Sequence, residues 1–150
     1  MKTQEQKAAA FRALHERAGA FTILNSWDAG TAKLLAALGY EALATTSLGG
    51  ASSLGQRDGG ITLRQALDNC AVIAAATELP VSADLENCYA RDPREAAQTI
   101  RLAAEAGVVG GSIEDSSGDE RAPIYDFQLA VERVQAAAEM ARSLGFAFVL

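Results

Sequence analysis

Pro80-Val81-Ser82-Ala83-Asp84-Leu85-Glu86-Asn87 is a short apolar run that closes on two carboxylates. The apolar start predicts a buried strand. A strand's side-chain period of two puts Asp84 and Glu86 on one face at its C-terminal end. Acidic groups this close repel each other and raise each other's pKa unless positive charge sits between them. One reading of the pair is a site for a hard divalent cation such as Mg2+, which prefers oxygen ligands. The other is a solvated loop beginning at Glu86, with Asp84 capping a turn. The stretch alone leaves both open.

On either side of it the chain alternates between helix and strand. Residues 4–19 predict a helix, with Ala8, Phe11, Leu14 and Ala18 at helical spacing and Gly19 as its stop. A strand over 21–25 follows, then a helix over 29–38 capped by Asp28 and ended by Gly39. The second strand covers 42–47. A glycine-rich loop over 48–61 carries Gly49, Gly50, Gly55, Gly59 and Gly60. Thr62-Leu63-Arg64-Gln65 has capping-box spacing and opens a helix to about residue 77. Beyond the 80–86 strand, Asp92-Pro93-Arg94-Glu95 starts a helix that runs to Ala106. The fourth strand is expected over 111–115. A helix over 126–144 follows, with Phe127, Ala130, Val131, Val134, Ala138 and Ala141 on one face. Phe146-Ala147-Phe148-Val149-Leu150 begins a fifth strand.

Strands alternating with helices are the signature of parallel βαβ units. An open doubly wound sheet and a (β/α)8 barrel both satisfy it. A dinucleotide-binding sheet would carry a glycine fingerprint after its first strand, and Asn25-Ser26-Trp27-Asp28-Ala29-Gly30 is not one. The barrel is therefore the expectation, and a nicotinamide-dependent oxidoreductase is disfavoured. A full barrel takes about 250 residues. Residues 1–150 are thus expected to form the N-terminal portion of one barrel domain: an opening helix, four βα units and a fifth strand. An apolar strand at 146–150 predicts an edge that needs covering, by more chain or by a second copy.

Composition narrows the function classes. A chain of 150 residues, 49% hydrophobic and 21% charged, buries one real core. A formal net charge of −6 argues against nucleic-acid binding, which needs a basic surface. No apolar run approaches the roughly 20 residues that span a bilayer, and Met1-Lys2-Thr3-Gln4-Glu5 is no signal peptide, so a cytoplasmic location is expected. Cys70 and Cys88 lack metal-type spacing and read as free thiols. His15, the only histidine, lies on the opening helix and reads as a packing or surface residue.

Ligand sites of parallel α/β folds lie at the C-terminal ends of the strands. Residues 25–28 and 45–47 reach that rim from the first two strands, Asp84 and Glu86 from the third, Glu114 and Asp115 from the fourth. Asp58 lies in the glycine-rich loop, which can fold back over the same mouth. Carboxylates arriving independently at one rim fit Mg2+ that keeps several waters and chelates an oxyanionic substrate. Thr45-Thr46-Ser47-Leu48-Gly49-Gly50 offers hydroxyls and unobstructed backbone N–H groups for a carboxylate or phosphonate, or else simply makes a capped turn. Trp27 either walls the pocket or packs.

The segments Asn25 to Gly30, Ala44-Thr45-Thr46-Ser47, Leu54-Gly55 with Asp58, Pro80 to Glu86 and Ile113-Glu114-Asp115 occur in the order seen in the isocitrate lyase/phosphoenolpyruvate mutase superfamily. The chain resembles that family from about Phe11 to Leu150. The resemblance implies a (β/α)8 barrel with Mg2+ at its strand ends. It also implies making or breaking of a C–C or P–C bond beside a small 2-oxo or 2-hydroxy carboxylate, through an enolpyruvate-like intermediate. By that resemblance Asp84 is the direct metal ligand, Glu86 and Glu114 are ligands or hold the metal's waters, and Asp58 is a catalytic loop carboxylate. Thr46, Ser47 and Leu48 match the segment that grips the substrate carboxylate. Relatives are commonly homotetramers, so a homo-oligomer is implied.

The chain also departs from the family. Its lyases carry a Lys-Cys-Gly-His motif after the fourth strand, with the cysteine as acid/base. Here that loop reads Ser116-Ser117-Gly118-Asp119-Glu120-Arg121-Ala122-Pro123. It holds neither Cys nor His, nor the Asn or Thr signature of the mutase and phosphonopyruvate hydrolase branches. The usual Gly-Tyr-Gly after the third strand is Cys88-Tyr89-Ala90, and Cys88 does not match the lyase cysteine. The expectation is an Mg2+-dependent lyase, mutase or hydrolase; the alternative is a catalytically incomplete half-barrel with a binding or assembly role.

Overall fold

The computed structural model describes residues 2–150. Its helices begin where side chains can satisfy the N–H groups that a first turn leaves open. Thr3 and Gln6 box the start of α1 (Gln4–Glu16), Asp28 and Thr31 that of α2 (Ala29–Ala37), and Thr62 and Gln65 that of α4 (Leu63–Ala76). Asp92 caps α5 (Pro93–Glu105), which has proline in its first turn, and Asp126 caps α6 (Phe127–Ser143). Thr46 caps the short helix α3 (Ser47–Ser53).

Four strands, β1 (Leu24–Asn25), β2 (Leu43–Ala44), β3 (Val81–Ala83) and β4 (Gly110–Gly111), pair in parallel in the order β1-β2-β3-β4. Leu43 is in register with Leu24 on one side and Val81 on the other, and Ser82 with Gly110. Val149 then adds a parallel bridge to Gly110. A doubly wound sheet reverses its strand order partway. Neighbours taken strictly in chain order are what a closing barrel requires, and the chain forms four βα units and the start of a fifth strand.

Two apolar layers sandwich this arc. Leu43, Val81, Ala83 and Leu85 pack outward against Ile73, Ile100, Ala103 and Ala137 of the helices. Phe11 and Leu14 of α1 pack with Ala42 and Val109 at the N-terminal ends of the strands. Lys7 fixes α1 there. Its buried amine donates to the carbonyls of Ala74 (2.9 Å) and Thr77 (2.7 Å), where α4 ends and has none of its own N–H groups to offer. Among the described residues no helix is long and apolar enough to cross a membrane.

Three expectations need correction, and one is completed by the packing of α6. The opening helix ends at Glu16 rather than residue 19, because Arg17 turns to extended backbone. The first half of the expected loop over 48–61 is α3. Its glycines are poor helix formers, yet Gly49, Gly50 and Ala51 are buried and tertiary packing overrides propensity. Phe146–Leu150 joins the sheet only through Val149, whose N–H donates to Val109 O (3.1 Å) and whose carbonyl accepts from Gly111 N (3.0 Å). Finally, α6 buries Arg133, Ala137 and Ala141, the small alanines allowing close approach to α5. Much of the bulky stripe points outward, with Phe127 80%, Val131 41% and Val134 48% exposed.

Gly110 marks the tightest point of the arc. A Cβ there would lie 2.7 Å from the Phe11 ring, 2.9 Å from Val149 O and 3.2 Å from Ser82 Oγ. Gly110→Ala is expected to lower unfolding free energy by about 1–3 kcal/mol, the usual cost of overpacking, as read from urea denaturation.

Candidate functional site

Asp84 is bonded on both sides of its strand. Its backbone N–H donates to Thr45 Oγ1 (2.9 Å) beyond β2. Its carboxylate accepts from Ser47 N at Oδ2 (2.8 Å) and from Glu86 N at Oδ1 (3.2 Å). The strand end, the start of α3 and the turn after β3 are thereby pinned to one side chain. Each carboxylate oxygen retains a further lone pair.

Glu86 lies two residues on, with a left-handed backbone (φ 49°); Cys88 (φ 58°) and Tyr89 (φ 54°) share that conformation. It costs a non-glycine residue about 1–2 kcal/mol, so the turn is held by its surroundings. The carbonyl of Cys88 accepts from the Thr99 hydroxyl (2.9 Å). The Tyr89 hydroxyl donates to Glu86 Oε1 (3.1 Å). The carbonyl of Glu86 accepts from Glu114 N (2.9 Å), which brings the third and fourth strand ends together.

The Glu86 carboxyl is pushed above its ordinary value of 4.5, first by partial burial and then by the charges of Asp84, Asp58 and Glu114, against the lowering effect of the Tyr89 hydrogen bond. Asp58 is exposed on its loop and accepts from the N–H of Gly59 (3.1 Å), yet still adds to this field. Among the described residues no ion pair involves these four acids, whose negative charge is uncompensated. Nor do any three acidic, histidine or cysteine side chains among those residues enclose an ion. What the rim offers is separate hard carboxylate oxygens rather than a formed cage. That suits Mg2+, which keeps most of its waters and takes one or two carboxylates, better than a fully caged ion.

Thr46, Ser47 and Leu48 reach the rim as the start of α3, but two of their groups are already engaged. The Thr46 hydroxyl accepts from Gly49 N (3.4 Å), and the Ser47 N–H is given to Asp84. Leu48 is exposed. Trp27 is half exposed and lies over Gly49, where a Cβ would meet its ring at 2.5 Å. His15 stacks edge-on between Phe11 and Phe21, at 4.5 and 5.0 Å. Inside the arc a concave space of about 390 Å3 is lined by Asn25, Thr45, Ser82, Asp84, Ser112 and Glu114 above these aromatic rings. A larger apolar groove, about 730 Å3, runs between Ile113 and the outer face of α6, with Glu114 and Asp115 at one end.

Sequence reasoning placed Thr45 at the rim but not as the partner of Asp84 N, and it missed the roles of Tyr89 and Arg133. Arg133 is only 1% exposed and donates to the backbone of the turn after β3. The available signal was a charge inside the stripe Ala130, Ala137, Ala141. Cys70 is buried beside Thr45, and burial pushes its thiol up to about 12; Cys88 is pushed to about 11, again by burial. Neither is a ready nucleophile.

Parallel strands in chain order, with acids gathered at their C-terminal ends, define an enzyme-type (β/α)8 barrel scaffold. The chain belongs to the phosphoenolpyruvate phosphomutase family, whose sequence model matches residues 11–150. It is similar to a protein of Burkholderia cenocepacia J2315 provisionally described as a lyase/mutase, with 57% identity and a TM-score of 0.94 over 97% of this chain and 52% of that one. A 2,3-dimethylmalate lyase of the PEP mutase/isocitrate lyase superfamily is 28% identical, with a TM-score of 0.86 over 99% of this chain and 53% of that one. At 17% identity, a phosphonopyruvate hydrolase solved with oxalate and Mg2+ shares the fold (TM-score 0.87, 99% of this chain and 51% of that one). Uncharacterised proteins of Mycobacterium tuberculosis are 33% identical over 126 residues, 84% of this chain and 46% of theirs. The chain spans about half the length of the curated relatives it matches.

The raised Glu86 pKa sets a pH dependence. The native state holds this proton more tightly than the unfolded chain, so its contribution to stability is full below about 4.5 and is lost as pH rises through the raised value. Glu86→Gln keeps an acceptor for Tyr89 and removes the charge. Its melting temperature, relative to the parent in metal-free buffer, is expected to climb as pH is taken from 4 to 8. A difference flat across that range would show that the crowding of acids is not felt.

Proposed function

We propose that this chain carries the electrophilic half of an Mg2+-dependent active site acting on a small 2-oxo or 2-hydroxy carboxylate or phosphonate, with cleavage or formation of a C–C or P–C bond. The observation that carries the reading is the uncompensated field of Asp84, Asp58 and Glu114 on Glu86 at the strand ends. Family membership supplies the reaction type. Asp84 would hold the cation directly, with Glu86 and Glu114 as ligands or as acceptors for its waters. Bound there, Mg2+ would supply Lewis acidity for the negative charge that develops on the substrate oxygen as the adjacent bond breaks.

The chain's own groups have separate tasks in this reading. Thr45 and Ser47 hold Asp84 in place by hydrogen bonds to its N–H and carboxylate. The start of α3, through Thr46, Ser47 and Leu48, faces the substrate carboxylate with the positive end of a short helix, although the Ser47 N–H is committed to Asp84. Asp58 acts from its glycine-flanked loop as a catalytic carboxylate at the mouth. The Tyr89 hydroxyl orients Glu86. A cytoplasmic homo-oligomer without membrane or nucleic-acid partners fits the same reading.

A second reading, binding or assembly without turnover, is favoured by the exposed Phe127, Val131 and Val134 on α6. Thermal melts with Mg2+ plus oxalate, an enolpyruvate mimic, separate the two. The proposed site predicts a rise of several degrees, since ligand at about 100 times its Kd adds about 2.7 kcal/mol. Asp84→Ala should abolish the rise, along with any Mg2+-dependent turnover of 2,3-dimethylmalate, oxaloacetate or phosphonopyruvate. A melt unmoved by both additives would refute the metal site and leave the assembly role.

A further inference from the structure

The turn after β3 needs an external hold, because Glu86, Cys88 and Tyr89 all adopt left-handed backbone without being glycine. The carbonyls of Asn87, Ala90 and Arg91 point toward α6. There the Arg133 guanidinium donates from Nη2 to Asn87 O (2.5 Å) and from Nη1 to Ala90 O and to Arg91 O (3.1 Å). The Tyr125 ring covers the guanidinium at 4.4 Å, and the Tyr125 hydroxyl is within 3.4 Å of Asn87 Nδ2. Among the described residues no carboxylate pairs with Arg133, and its Nε has no partner. A buried charge kept without a counter-ion is costly unless other polar groups satisfy it. Here the satisfying groups are three carbonyls from one turn.

We propose that Arg133 is a positioning residue, whose planar guanidinium fixes the peptide planes of residues 87–91 and so aims Glu86, with its Tyr89 partner, at the acidic rim. The cation-binding consequence rests on the proposed function; the hold on the turn does not. A lysine cannot reproduce it, since an ammonium lacks the rigid fork that addresses several carbonyls at once. Residues that orient ligands from behind typically change metal affinity by about 10- to 100-fold when removed.

Arg133→Met removes the donors, and Arg133→Lys keeps the charge and serves if the first variant does not fold. Amide hydrogen exchange in metal-free buffer is read first. Exchange should accelerate at least about tenfold in residues 86–91, while the amides of α1, β1 and β2 stay as in the parent. Mn2+ titration followed by paramagnetic resonance is read second, against Ile73→Val as a mildly destabilised control. The Arg133 variants should bind about tenfold more weakly, and the control as the parent does. Unchanged exchange in 86–91, or acceleration spread evenly over the chain, overturns the proposal. So does local acceleration with unchanged Mn2+ affinity. If the parent itself binds no Mn2+, the cation reading falls, and the exchange result alone decides whether Arg133 holds the turn.

Discussion

The carboxylate of Asp84 ties the end of β3 to the start of α3 and to the turn that follows. Charge-assisted hydrogen bonds from N–H groups to an ionised acceptor are shorter and stronger than neutral ones. Asp84 makes one to the first residue of α3 at 2.8 Å and a longer one, at 3.2 Å, to the first residue of the turn beyond β3. An anion at a helix N-terminus is also favoured by the helix dipole. This matters for α3, whose seven residues include two glycines and three serines. Such a segment has little helical preference of its own and depends on its Thr46 cap, on Asp84 and on burial of Ala51. The shape of the rim thus follows from a residue that the chemistry also wants there, and structure and function draw on the same oxygen atoms.

Much of the scaffold was legible because local signals and tertiary packing agree. The Asp28 cap, the Thr62–Gln65 capping pair and the Asp92-Pro93 start each mark a helix that forms where they stand. Alternation of strand and helix gave the parallel barrel order. The period of two does not carry to Glu86, because β3 stops at Ala83 and Glu86 sits in the left-handed turn beyond it. Where packing overrules local preference, the sequence misled. Gly49 reads as loop, but it is the absence of a Cβ beneath Trp27 that lets α3 close up. On α6, the apolar stripe did not say which face is buried: close contact with α5 selects Ala137 and Ala141 and carries Arg133 inward with them.

The candidate site shows the same division. Its acids could be found from strand ends alone, as charges placed where an apolar run stops. The partners that orient them could not. Thr45, Tyr89 and Arg133 act through hydrogen bonds whose geometry is set by the fold, and an arginine on a helix ordinarily reads as a surface charge. The commitment of the Ser47 N–H to Asp84 was equally invisible. It leaves the start of α3 with fewer free donors for a substrate than the resemblance suggested.

The two cysteines give the molecule a built-in clock. Cys70 is closed in behind Thr45 and Asp84, and Cys88 lies at the heart of the left-handed turn beneath α5; both are essentially inaccessible. With thiols pushed to about 12 and about 11, neither offers appreciable thiolate at neutral pH while the chain is closed. Alkylation therefore waits for opening, and it waits separately at each sulfur. The labelling rate of Cys70 times the lifting of α4 from the sheet, and that of Cys88 times the release of the turn. Two chemical reporters, already present in the natural sequence, can tell whether the rim opens piecemeal or all at once.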